Sequence, residues 1–318
     1  MTPAASILLL TTATGFGYGL LAWIGLYAAL GLLPPARAAG LVIAGVALAL
    51  LLAALGLAAS MLHLGRKARA WRAFSQWRSS WLSREGVAAV LTFPVAIALG
   101  LAALRDGDGG WTRLAGLAAL AASLGTVYCT AMIYGSLKPI RQWHNPHTAP
   151  DYLIYAAFSG ALLFALLRTV VFGTPGVVAG AAAAGSAALA LSAKWLYWRH
   201  IDAQTPLATL ANTIGLRADG AAKTVVKPLD APHFTENFVL REMGYVIGRR
   251  HAARLRRIAL ATAFLLPLAL TVMATLAVFP LAAIVLALGG AAIGLLIERW
   301  LFFAEATHVS ALYYGRAI

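Results

Sequence analysis

Residues 41–64 read LVIAGVALALLLAALGLAASMLHL, with no Asp, Glu, Lys or Arg among them. A helix of about 20 apolar residues crosses the ~30 Å hydrocarbon layer of a bilayer. This run is long enough, and runs like it recur along the chain. The sequence predicts an all-α integral membrane protein, a bundle of eight transmembrane helices. Their expected limits are 4–31, 38–64, 84–104, 113–136, 150–172, 175–198, 256–278 and 281–305. A transmembrane β-barrel would show short alternating segments, and the chain has none. The turn near Pro280 is short, so the last two helices should form an antiparallel hairpin. Gly15 with Gly19, and Gly290 with Gly294, place small residues four apart, which lets helices approach closely.

Composition agrees. The chain is 61% hydrophobic and 11% charged, with a mean hydropathy of +0.80. Soluble domains are about 45–50% apolar and about 25% charged. The net charge of +14 would suggest nucleic acid in a soluble protein. Here the basic residues cluster between apolar runs, so membrane orientation and an acidic partner explain them, and no nucleic-acid partner is expected. The single cysteine, Cys129, excludes an intrachain disulfide and a four-cysteine iron–sulfur site within the chain. Met1-Thr2-Pro3-Ala4-Ala5 carries no positive charge, so the first run reads as a retained helix rather than a signal peptide.

An eight-helix path puts 21 of the 25 Lys and Arg on one side. They include Arg66, Lys67, Arg69, Arg72, Arg78 and Arg84 around the second connection, and Arg249, Arg250, Arg254, Arg256 and Arg257 before the seventh helix. The other side has Arg37, Arg105, Arg113 and Arg168. The positive-inside rule makes the rich side cytoplasmic, with both termini there, in a bacterial inner membrane. The whole chain, 1–318, reads as one eight-helix membrane domain. It has a basic connector at about 65–84 and a long cytoplasmic loop at about 200–255. A loop of that length in a compact bundle is usually functional. Its mixture of aromatic and charged residues suits a docking surface; contact with anionic lipid is the rival use.

Two residues at adjacent helix mouths carry the candidate chemistry: His63 at the end of the second run and Glu85 at the start of the third. An imidazole changes charge near neutral pH. A carboxylate inside a membrane is costly and is commonly functional. Together they suit proton exchange with a small amphipathic ligand. A snorkelling His63 and an exposed Glu85 paired with Arg84 are the bland alternatives. Arg78, Trp81, Arg84 and Tyr134 are candidate pocket walls. Trp71, Trp77 and Trp81 either roof the site or form an ordinary aromatic belt. Tyr128, Tyr134, Trp143 and His144 either line it or pack the core. Arg168, Glu298, Arg299 and Glu305 are rare helix charges, suited to a proton route or an internal ion pair. A haem b would need two facing histidines, with His63 and either His251 or His308 as the pairs to try. No phosphate loop, dinucleotide fingerprint or zinc spacing is present, and no metal of the chain's own is expected. A secondary transporter would show inverted repeats and charges at the midplane, and neither is evident.

At Ser60-Met61-Leu62-His63-Leu64-Gly65, Arg69-Ala70-Trp71-Arg72-Ala73-Phe74 and Ser80-Trp81-Leu82-Ser83-Arg84-Glu85 the chain resembles the membrane-anchor subunits of dimethyl sulfoxide reductase-type complexes. Further similarity lies at Met132–Lys138, Trp143–Asn145, Asn237–Gly244 and Glu298–Glu305. The resemblance implies an eight-helix anchor that binds a four-cluster iron–sulfur subunit, which in turn serves a molybdopterin catalytic subunit. It implies a bound quinone, ubiquinone or menaquinone, with His63 and Glu85 matching the family's quinone-site residues. The long 200–255 segment and the basic face look more like the sulfite-oxidising, quinone-reducing branch than the menaquinol-oxidising one.

Overall fold

The computed structural model describes residues 4–62, 67–204 and 250–314. Within them are eight helices long and apolar enough to cross a membrane. They are α1 (Ala5–Ala29), α2 (Ala38–Met61), α3 (Trp81–Asp106), α4 (Gly110–Gly135), α5 (Thr148–Phe172), α6 (Val177–Asp202), α7 (Ala252–Thr275) and α8 (Pro280–Ala304). Short 3-10 turns cover Pro35–Arg37, Lys67–Phe74 and Val309–Tyr314. No strand occurs among the described residues.

Several helices run past the limits that apolar residues set. α3 begins at Trp81 rather than 84, directly after Ser80, whose backbone is extended. α6 continues to Asp202 and α7 starts at Ala252. Counting apolar residues measures the hydrocarbon layer. The helices themselves extend into the interface, where Arg199, His200, Arg254 and Arg256 can be solvated while the backbone keeps its bonds.

α7 departs from a regular helix. Its turn Leu260–Leu265 is a π-helix, immediately ahead of Pro267. Proline has no N–H and its ring crowds the preceding turn. The widening therefore falls in the turn whose carbonyls face that missing donor. α7 and α8 are joined by a tight reversal in which Ala277 and Phe279 adopt left-handed φ values of 60° and 43°. The expected hairpin is present.

α1 lies at the centre, packed against α2, α4, α5 and α8. Gly19 makes one of these crossings feasible. A Cβ there would collide with the carbonyl of Ala156, and a Cβ on Gly160 would collide with Gly19 in return. Only two glycines let α1 and α5 meet backbone to backbone, which is how van der Waals contact drives helix association in lipid. Gly294 of α8 sits equally close to Ala263, in the π turn of α7.

Eight antiparallel crossings bring one set of helix ends together. The N-terminal ends of α1, α3, α5 and α7 share an end of the bundle with the C-terminal ends of α2, α4, α6 and α8. The buried charges gather there.

Candidate functional site

The phase of α3 decides where Glu85 points. Glu85, Ala89, Thr92, Ala96 and Leu99 recur at steps of four and three and are buried. Leu82, Val90, Ile97, Leu101 and Leu104 face outward and are exposed. Glu85 belongs to the inward stripe, one turn inside the helix, and is 7% exposed. Its carboxylate accepts a 2.7 Å hydrogen bond from the Thr130 hydroxyl of α4. Tyr18, Tyr134 and Tyr152 lie close enough to feel its charge.

Arg84 turns the other way. Its Nε donates to the Trp77 carbonyl at 3.0 Å and its Nη2 to the Arg78 carbonyl at 2.7 Å. Its guanidinium stacks 4.3 Å from the Trp81 ring. Arg84 therefore ties the connector to α3, and the pairing of an exposed Glu85 with Arg84 does not occur. Trp81 meets Tyr128 edge-on at 5.8 Å. Arg78 is exposed and lies 5.0 Å from the Trp77 ring. Tyr134 sits among Trp143, Tyr152, Phe302 and Phe303, with ring centroids 5.2–6.0 Å apart. His63 lies outside the described residues, as does most of the 200–255 loop.

Deeper in the same end is a cluster that the sequence shows only in part. Glu298 and Arg299, adjacent on α8, are both buried. Arg299 Nη2 donates to Glu298 Oε1 at 2.7 Å and Nε donates to Oε2 at 2.5 Å. Lys194 of α6 is fully buried and ion-pairs with the same carboxylate. Asp151 of α5, also buried, lies near enough to interact with all three. The guanidinium of Arg299 lies 4.5 Å from the Tyr152 ring and 5.3 Å from that of Tyr155. Two cations and two anions balance, which is the condition for keeping charge in a medium of low dielectric.

The sequence marks Glu298 and Arg299 as rare helix charges, but places Lys194 among the charges of a connection. Lys194 lies in the last turns of α6, among residues that resemble an interface. Only the packing of α6 on the α8 side of the bundle reveals that it points inward. At the rim, Arg256 of α7 bonds Asp202 of α6 at 2.6 and 3.0 Å and Glu305 at 2.8 Å. Arg168 is at the opposite end, stacked on Phe172 and donating to the Pro175 carbonyl at 2.8 Å.

His147, just before α5, stands 5.0 Å from His200 ring to ring. Its pKa is lowered, by desolvation first and by the His200 charge second. His308 Nδ1 lies 2.6 Å from the Ser310 hydroxyl. Among the described residues, no set of three or more His, Cys, Asp or Glu gathers that could hold a metal ion.

The model of the DMSO reductase anchor subunit (DmsC) family matches residues 7–315. The chain belongs to that family. It is 34% identical to a sulfite dehydrogenase subunit of Allochromatium vinosum, over 99% of this chain and 99% of that protein. No solved structure matches. The eight-helix membrane fold and the anchor resemblance read at Ser60–Glu85 are thereby shown. As a DmsC-type anchor, the chain is a multi-pass membrane subunit of an oxidoreductase complex, working alongside other subunits.

Proposed function

We propose that this anchor binds quinone at the Glu85 end of the bundle. There it passes electrons between an iron–sulfur partner, which serves a molybdopterin catalytic subunit, and the quinone pool. The supporting observation is a buried carboxylate one turn inside α3, bonded to Thr130, with Phe74 of the aromatic, basic connector packed against the neighbouring Gly86. Similarity to a sulfite dehydrogenase subunit favours sulfite oxidation with quinone reduction. The basic end is then cytoplasmic, with both termini, and docks the partner; Arg69, Arg72 and Arg78 are exposed for that contact.

In this reading the quinone is the substrate and takes up two electrons and two protons. The partner's clusters supply the electrons. His63 and Glu85 hold the protons at the quinone oxygens. Trp81, Arg84 and Tyr134 shape the surroundings: Arg84 fixes the connector over the first turn of α3, and Tyr134 anchors α4 against α5 and α8.

The test uses the purified complex. Glu85→Gln and His63→Ala should each leave the whole assembly intact and active toward a soluble electron acceptor. Quinone-coupled turnover should fall by about 10²-fold or more, the usual share of one acid–base group. Undiminished quinone turnover in both variants would overturn the assignment.

A further inference from the structure

Beside Thr130, the hydrogen-bond partner of Glu85, is a small cavity. It lies between α1, α4, α5 and α8, and its walls include Thr12, Gly15, Thr130, Tyr152, Tyr155 and Arg299. Its volume is about 30 Å³. One water needs roughly 10–15 Å³ by the same measure. The space therefore fits about two or three waters and cannot fit a quinone ring.

Much of the wall is apolar, with Val127, Ala156 and Leu295 in it, and its few polar groups ask for such an occupant. Tyr152 and Tyr155 are each 6% exposed. Tyr152 lies near Arg299 and Tyr155 near Asp151. Neither hydroxyl meets another group of the protein with hydrogen-bond geometry, and nor does the Thr12 hydroxyl. Arg299 offers its face to both tyrosine rings while its N–H groups serve Glu298. Buried hydroxyls without partners are costly, and a water with two to four polar neighbours satisfies them. Thr130 lines this cavity and also donates to Glu85. One side chain thus joins the cavity to the carboxylate.

We propose that this cavity is a water site that carries protons to Glu85 through the Thr130 hydroxyl. The inference rests on the quinone reading and names its proton supply. During quinone reduction, the Glu85 carboxyl gives its proton to a quinone oxygen. The carboxylate left behind takes the Thr130 hydroxyl proton, and Thr130 takes one in turn from the cavity water. A proton from the aqueous phase at the same end of the bundle converts the hydroxide left behind to water again, so one proton enters for each one the quinone receives. The electrons come from the partner's clusters, so charge and atoms balance. The ionisable groups around the route are Tyr18 on α1, Cys129 and Tyr134 on α4, Asp151, Tyr152 and Tyr155 on α5, Lys194 on α6, and Glu298 with Arg299 on α8. The four charged groups on α5, α6 and α8 balance in pairs, so a neutral hydroxyl-and-water path passes them without meeting a net charge.

Gly15 provides the test. A Cβ built there meets nothing within 4 Å, so Gly15→Ala adds a methyl group without a clash and Gly15→Val reaches further into the cavity from α1. Tyr152→Phe removes one hydroxyl and keeps the ring, in case Gly15→Val fails to fold. In the intact complex, Gly15→Val and Tyr152→Phe should lower quinone-coupled kcat by roughly tenfold, less than the loss of a whole acid–base group. KM for quinone should be unchanged, and the solvent deuterium isotope effect on kcat should rise. Gly15→Ala should fall between Gly15→Val and wild type. Unchanged kcat and isotope effect in both Gly15→Val and Tyr152→Phe would overturn the water route. So would a rise in KM at unchanged kcat, because the cavity would then be shaping quinone binding. Failure of the quinone reading would register separately, as full quinone turnover in both Glu85→Gln and His63→Ala.

Discussion

The two ends of the bundle pair their carboxylates in different ways. At the far end, Asp106 accepts from the Trp111 N–H at 2.9 Å and from the Thr112 hydroxyl at 2.5 Å. Arg113 pairs with Asp108 at 3.6 Å with its side chain 54% exposed. Those partners are neighbours in sequence, and they close the α3–α4 turn. At the Glu85 end the partners come from distant helices: Glu85 with Thr130, Lys194 with Glu298, Arg256 with Glu305. Local polar contacts finish a turn. Long-range buried ones hold helices in fixed positions and provide groups for proton chemistry.

Removing one member of the buried ion cluster should test this contrast most severely. Glu298→Ala leaves Lys194 and Arg299 without their shared carboxylate. Breaking a buried pair in this way costs about 3–5 kcal/mol, so the variant should show a large drop in melting temperature in detergent or fail to accumulate. Stability near wild type would mean that the cluster does not tie α6 to α8.

Next comes the apolar seam. Gly160→Leu forces a side chain into the backbone of α1 and should destabilise by at least the ~1–3 kcal/mol of an overpacked core. The same measurement on Gly15→Ala should show almost no change, because Gly15 faces open space. Equal effects at the two sites would contradict the α1–α5 crossing.

A smaller effect is expected at the rim of the polar end. The lowered pKa of His147 means that the folded state holds its proton less tightly than the unfolded chain, whose histidine titrates near 6.5. Its contribution is therefore complete above that value and is lost as pH falls from there through the folded-state value. His147→Gln should lose less stability than wild type in thermal melts taken at about pH 7 and then about pH 5. An identical pH response would remove His147 from the account. The smallest effect belongs to the far end: Arg113→Ala should shift stability by no more than about 0.5 kcal/mol, as expected of an exposed pair.

Much of this is legible in the residues themselves. The eight spans follow from apolar run lengths, because a bilayer needs a fixed length of helix whatever packs beside it. Glu85 stands out because a carboxylate near a membrane helix end is unusual. Tyr134 can be placed near the site but not assigned, since an aromatic residue serves a pocket or a core equally well. Lys194 escapes notice because a lysine near a helix end normally reaches for water. Nothing within residues 190–200 shows that its neighbour across the bundle is Glu298.

Alone, the sequence determined that this chain has eight helical stretches long and apolar enough to cross a membrane, that 21 of its 25 Lys and Arg fall on one side of such a path, and that an acid stands at the mouth of the third helix. Those properties depend on local hydrophobicity and charge. The tertiary structure decided which charges are partners, that Thr130 links Glu85 to a small cavity, and that Gly15 leaves room where Gly19 leaves none. Those depend on the rotation of each helix about its own axis, which is set by contacts between residues far apart in the chain.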